Sequence, residues 1–125
     1  MADIKKVLIV EDENSLRMAL VDKFTREKFK VVEAKNGREG LELAVSEKPD
    51  IILLDLLMPD MDGLTMVDEM QKIEGMDETP IIVLTNSSGT NSVIDVLDHG
   101  ITDYLIKSDW SIADIVDKVK DKLRI

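Results

Sequence analysis

Val7-Leu8-Ile9-Val10, Ile51-Ile52-Leu53-Leu54 and Ile81-Ile82-Val83-Leu84 are runs in which every residue is apolar. A strand with one wet face alternates apolar and polar residues. A strand without alternation has to be covered on both faces, which is the condition inside a parallel sheet. Two further β-type runs, Lys30-Val31-Val32-Glu33-Ala34 and Tyr104-Leu105-Ile106, complete a set of five.

Helix-period segments separate these runs. Leu16, Leu20 and Phe24 recur at i, i+4 and i+8 behind Asn14-Ser15, which reads as an N-cap. Leu41, Ala44 and Val45 follow Gly37, read as a turn residue, and Leu64, Val67, Met70 and Ile73 recur every third position. Val93, Val96 and Leu97 lead to His99-Gly100, a C-cap signal. The last stripe is Ile112, Ile115, Val116, Val119 and Leu123. Ser111 is its expected N-cap with Asp114 at N3, and Trp110 and Ile115 occupy hydrophobic-staple positions.

Strand followed by helix, five times, predicts one α/β domain over residues 1–125, with an open sheet, right-handed crossovers and helices on both faces. The acidic stretch 74–79 reads as a surface loop. Composition narrows the function. A formal net charge of -10 argues against nucleic acid and against anionic membrane surfaces, both of which are bound through Lys and Arg. With no Cys and one His, thiolate and His-rich metal sites are excluded. No signal-type apolar region precedes the first strand, and no apolar run approaches the ~20 residues of a membrane span. A cytoplasmic protein is expected.

Ligands of an open α/β sheet bind at the carboxyl ends of its strands. There the sequence places Glu11-Asp12-Glu13, Asp55, Thr85 and Lys107. Taken singly, Asp12 or Glu13 is as well explained as a helix cap, and Thr85 as a structural hydroxyl. Asp55 is harder to dismiss, because it interrupts an apolar run and a buried carboxylate needs a partner. A metal or Lys107 would serve. Lys107 itself has no evident structural benefit, because a cation before a helix start opposes the helix dipole. Carboxylates without histidine suit Mg²⁺, or Mn²⁺, and a lysine and a hydroxyl beside them suit phosphate oxygens. A carboxylate is also a competent nucleophile toward phosphorus. Other motifs read blandly: Asp60-Met61-Asp62-Gly63 as a turn, since Met58 would be a useless first Ca²⁺ ligand, His99 as a surface cap, and Met66 and Met70 as core.

Four segments together resemble the receiver domain of CheY-type two-component response regulators. They are Val7 to Glu13, Ile52 to Gly63, Ile81 to Thr85, and Gly100 to Lys107, within a likeness running from Lys6 to Leu123. The resemblance implies a flavodoxin-like (βα)5 doubly wound sheet of strand order 2-1-3-4-5. It implies that Asp55 is the phosphoacceptor, served by a sensor histidine kinase or a phosphotransfer protein. Mg²⁺ would be held by Asp12, Asp55 and the backbone carbonyl of Leu57, with Glu11 acting through water. Lys107 and Thr85 would take phosphate oxygens, and Thr85 and Tyr104 would form the switch. That switch would alter a protein-binding surface around the fourth helix, fifth strand and fifth helix, in a monomer or a phosphorylation-dependent dimer. Nothing in the chain is left for an output domain, so stand-alone action, with no direct nucleic-acid binding and no membrane insertion, is expected. Such a chain is a switch that catalyses at most its own phosphorylation and dephosphorylation.

The sequence departs from the family at three points. Ser108-Asp109-Trp110 follows Lys107 where proline is usual, and Asn86 stands where a small residue is usual. Leu57 has no group to orient an attacking water, so slow loss of the phosphoryl group is expected. Two other functions compete: a pseudo-receiver that binds partners without phosphorylation, and a small Mg²⁺-dependent phosphatase working through an aspartyl phosphate.

Overall fold

The five β-type runs form strands β1 (Lys6–Val10), β2 (Lys30–Ala34), β3 (Ile51–Asp55), β4 (Ile81–Thr85) and β5 (Asp103–Ile106). All pair in parallel, in the order β2-β1-β3-β4-β5. The structure, a computed structural model, describes residues 4–56, 58, 61–76, 78–86, 95–101 and 103–125. Its helices are α1 (Asn14–Arg26), α2 (Gly37–Glu47), α3 (Gly63–Gln71), the helical residues 95–98, here α4, and α5 (Ile112–Leu123). Leu57, Asp60 and Val93, singled out in the sequence, lie outside the described residues.

The missing alternation has a direct cause. Leu8, Val10, Ile52, Leu54 and Val83 enter one core with Ala44 of α2, Met66, Val67 and Met70 of α3, and Val96 of α4. Their neighbours Val7, Ile9, Ile51, Leu53, Ile82 and Leu84 enter a second core with Leu20 and Phe24 of α1 and Ile115, Val116 and Val119 of α5. Successive side chains point to opposite faces of a sheet, so a strand covered on both sides is apolar at every position. Trp110 packs against the second core, as its staple position predicts. Ser111 Oγ accepts from the Asp114 amide at 3.1 Å while Asp114 Oδ2 accepts from the Ser111 amide at 3.3 Å, a closed capping box at the start of α5.

Two helix starts differ from expectation. Asn14 is the first residue of α1 and Glu13 the cap position, with no side-chain cap bond. The Asn14 side chain instead accepts from Arg17 Nη2 at 2.6 Å. Gly37 lies inside α2 rather than in the turn before it, and Asn36 caps the helix by accepting from the Glu39 amide at 2.8 Å. The glycine is needed for proximity: a Cβ there would stand 2.2 Å from the Met61 carbonyl oxygen. The α2 start is thereby pressed onto the chain that runs from β3 to α3.

His99-Gly100 does terminate α4, with Gly100 at φ +80. His99 also clasps α4 to α3. Its Nδ1 lies 2.6 Å from the Asp95 carbonyl oxygen and its Nε2 3.0 Å from Asp68 Oδ1, while Gln71 Nε2 donates to the His99 carbonyl at 2.8 Å. Carbonyl and carboxylate oxygens only accept, so both ring nitrogens carry protons and the imidazolium is the form that fits. The Asp95 carbonyl raises the His99 pKa; burial opposes this, and Asp68 adds to the rise.

Two expectations follow from this packing. Gly37→Ala forces the Met61 backbone away and should lower stability by about 1–3 kcal/mol in urea unfolding, as overpacking does; an unchanged midpoint would contradict the contact. The His99 contribution is complete below the ordinary value of 6.5 and is lost as pH rises through the higher folded value. Being the single histidine, its ring proton can be followed by NMR. It should titrate above 6.5, and move down in Asp68→Asn.

Candidate functional site

The chain leaves β1 to form β2 on one side and returns to form β3 on the other, so the sheet order reverses between β1 and β3. Neighbouring crossovers diverge there and open a crevice at the carboxyl ends of the strands. Val10 pairs with Leu54, so Glu11 and Asp55 are the next residues of two adjacent strands. Asp55 pairs with Leu84 and Thr85 with Ile106, which sets Thr85 and Lys107 at the neighbouring strand ends.

Glu11, Asp55 and Thr85 are buried, at 1%, 5% and 1% exposure, whereas Asp12 is open to solvent. The carboxylates of Glu11, Asp12 and Asp55 each offer an oxygen within 4.8 Å of the others. Among the described residues this is the cluster suited to a metal ion. All its donors are oxygen, and Asp12 leaves one side accessible, which fits a hard divalent cation that retains water.

Lys107 Nζ is 2.7 Å from Glu11 Oε1 and 3.5 Å from Asp55 Oδ2. The expected partner was Asp55, and the structure gives Glu11 the shorter contact. The extra methylene of glutamate carries its carboxylate across to the lysine. Burial draws the Lys107 pKa down, but its contact with Glu11 and the charges of Asp55, Glu11 and Glu13 outweigh this and hold it above its ordinary value. Ser108 and Asp109, in place of proline, continue from Lys107 as a short 3-10 turn, and every described peptide bond is trans.

Tyr104 stands beside Val83, two residues before the Thr85 register, half-buried against the α2–α3 core, and burial pushes its phenol pKa up. The loop after Asp55 folds back closely: the Gly63 amide donates to the Leu56 carbonyl at 3.0 Å, and a Cβ on Gly63 would stand 2.6 Å from the Asp55 carbonyl oxygen. Asp62, read as part of a turn, caps α3 by accepting from the Thr65 amide at 2.9 Å. A cavity of about 250 Å³ lies at the other end of the sheet, where Ile81 and Asp103 begin their strands. The acidic crevice joins buried charge to the carboxyl ends of the strands, where ligands of such sheets bind.

Sequence reasoning missed Arg17. It is buried at 5% exposure, with Nη1 donating to the Glu11 carbonyl at 2.9 Å and Nε to Glu33 Oε1 at 3.1 Å. The available signal was its spacing: Arg17 lies three residues before Leu20 and seven before Phe24, an arginine on the apolar face of its helix.

Comparison with known proteins agrees with this geometry. The family described as "Response regulator receiver domain" matches residues 7–120. A protein-glutamate methylesterase/protein-glutamine glutaminase of Archaeoglobus fulgidus is 36% identical over 95% of this chain, which spans 34% of that protein. The transcriptional regulatory protein SrrA of Staphylococcus aureus is also 36% identical over 95% of this chain, which spans 48% of it. The chain thus covers half or less of the length of these curated relatives. The solved structure of the Vibrio cholerae chemotaxis protein CheY4 superposes with a TM-score of 0.88 at 26% identity, over 95% of this chain and 98% of the other.

The buried ion cluster predicts its own response to mutation. Lys107→Met leaves Glu11 and Asp55 facing one another without a cation. The loss of stability at pH 7 should fall somewhat short of the about 3–5 kcal/mol of a fully enclosed pair, because Asp12 admits solvent. Urea unfolding at pH 7 measures it, and an unchanged midpoint would contradict the electrostatic account.

Proposed function

The chain belongs to the response regulator receiver domain family of two-component signalling, and from that premise we propose that Asp55 is its phosphoacceptor. The observation that carries the proposal is the Glu11, Asp12 and Asp55 cluster with Lys107 Nζ 2.7 Å from Glu11 and 3.5 Å from Asp55, at the reversal point of the sheet.

The donor is a phosphohistidine on a sensor histidine kinase or a phosphotransfer protein. A carboxylate oxygen of Asp55 attacks phosphorus as the P–N bond breaks, and the imidazole leaves with the electron pair of that bond. Asp12, Asp55 and the backbone carbonyl of Leu57 would hold Mg²⁺, with Glu11 acting through water, and the bound ion would offset charge on the phosphoryl oxygens. Mn²⁺ meets the same oxygen donors.

Lys107 already faces two carboxylates, and phosphorylation of one gives its ammonium a third acceptor. The Thr85 hydroxyl donates to another phosphate oxygen. These contacts bias a two-state element. Thr85 moves toward the phosphate, and Tyr104, already half inside the core, turns further in. The surface formed by α4, β5 and α5 changes, and an output protein reads it. The switch acts through protein contact, in the cytoplasm, as a monomer or a phosphorylation-dependent dimer.

Intact mass after incubation with Mg²⁺ and acetyl phosphate tests this reading. One added phosphoryl group is expected in the natural chain and none in Asp55→Asn. A gain that persists in Asp55→Asn would assign the wrong acceptor. No gain from acetyl phosphate or from histidine kinases, with Trp110 fluorescence indifferent to beryllofluoride and Mg²⁺, would favour a pseudo-receiver. Continuous turnover of small phosphate esters would favour a phosphatase.

A further inference from the structure

We infer that Arg17 is a positioning residue of the cation site, acting through the peptide bond that joins Glu11 to Asp12. The inference rests on the reading of Glu11, Asp12 and Asp55 as a Mg²⁺ site.

A peptide unit is planar and rigid, so the Glu11 carbonyl oxygen and the Asp12 nitrogen turn as one body. Fixing that oxygen sets the last backbone angle of Glu11 and the first of Asp12. It therefore aims both carboxylates. Arg17 Nη1 donates to this oxygen at 2.9 Å from a site with 5% exposure. The guanidinium is itself held, with Nε on Glu33 Oε1 at 3.1 Å and Nη2 on Asn14 Oδ1 at 2.6 Å. Three donors of one planar group are thus directed by β2, by the first turn of α1 and by the end of β1.

The rest of the acidic turn is secured from other directions. The Glu11 amide donates to the Ala34 carbonyl at 3.0 Å, the Glu13 amide to Glu11 Oε2 at 3.0 Å, and Lys107 meets Glu11 Oε1. None of these contacts falls on the carbonyl between Glu11 and Asp12. Asp12, exposed, takes its aim from that peptide plane, and Arg17 orients the plane. A lysine has no rigid fork with which to reach three acceptors at once, so the role is directional rather than a matter of charge alone.

Mg²⁺ titration by calorimetry tests the assignment, with urea midpoints recorded without Mg²⁺ for every variant. Arg17→Met and Arg17→Lys should each weaken Mg²⁺ binding about tenfold or more, the range seen when a group orienting a metal ligand is removed. Glu33→Gln removes the ion-pair partner but leaves the Glu11 contact. It should hold Mg²⁺ affinity near that of the natural chain even where its urea midpoint falls. If Arg17→Lys binds as the natural chain does, only the charge matters and the inference is overturned. Should Arg17→Met fail to fold, the Arg17→Lys and Glu33→Gln pair still decides: equal weakening in both would make Arg17 part of a general structural network and overturn it too. A natural chain that takes up no Mg²⁺ would overturn the cation-site reading and this inference with it, whereas a natural chain that binds alongside unaffected Arg17 variants would overturn this inference alone.

Discussion

Two buried carboxylates share one ammonium. Glu11 and Asp55 extend adjacent strands whose other residues are apolar, and Lys107 arrives from the end of β5 to face both. Like charges at such separation repel strongly where water is scarce. Lys107 offsets that repulsion. The strand order matters for this reason above all. It brings β1 and β3 side by side and keeps β4 and β5 within reach of them.

Much of this was legible in the sequence, for a physical reason. Runs such as Val7 to Val10 and Ile51 to Leu54 have one stable setting, between two layers of helices, and the strand boundaries moved by a residue at most. Asp55 was conspicuous because a charge at the end of such a run demands compensation. The capping box at Ser111 was readable because its bonds are local. Contacts between segments distant in the chain were not readable. Gly37 looked like a turn residue, and only the approach of Met61 explains it. The choice of Lys107 between Glu11 and Asp55 depends on side-chain reach, which spacing does not encode. Arg17 was hidden by the habit of reading charge as surface: its helix face is apolar, but what it meets there is backbone and carboxylate oxygen.

The two ends of the sheet are fastened differently. At the carboxyl end, Glu11, Arg17, Glu33 and Lys107 join β1, α1, β2 and β5 through charge-assisted contacts. At the amino end, Asp103 opens β5 between Lys118 and Lys122 of α5, at 3.2 and 2.7 Å. Those lysines lower its pKa although burial works against them. So β5 is tied electrostatically at both ends, with Tyr104 and Leu105 between. On the proposed reading, a strand pinned in this way would pass a change at Lys107 to its flanking helices rather than absorb it by sliding.

On the proposed reading, the same arrangement lets a small change in charge be read at a distance. Adding a phosphoryl group to Asp55 adds negative charge where one lysine already answers two carboxylates. The packed cores on both faces resist gradual deformation, so the added charge is met by moving groups between discrete positions. Thr85 and Lys107 are next to it, and Tyr104 is beside Val83, two residues back along the β4–β5 register. On the far side of α4, His99 holds the helix to Asp68 and Gln71 of α3. The described end of α4 is therefore anchored to α3.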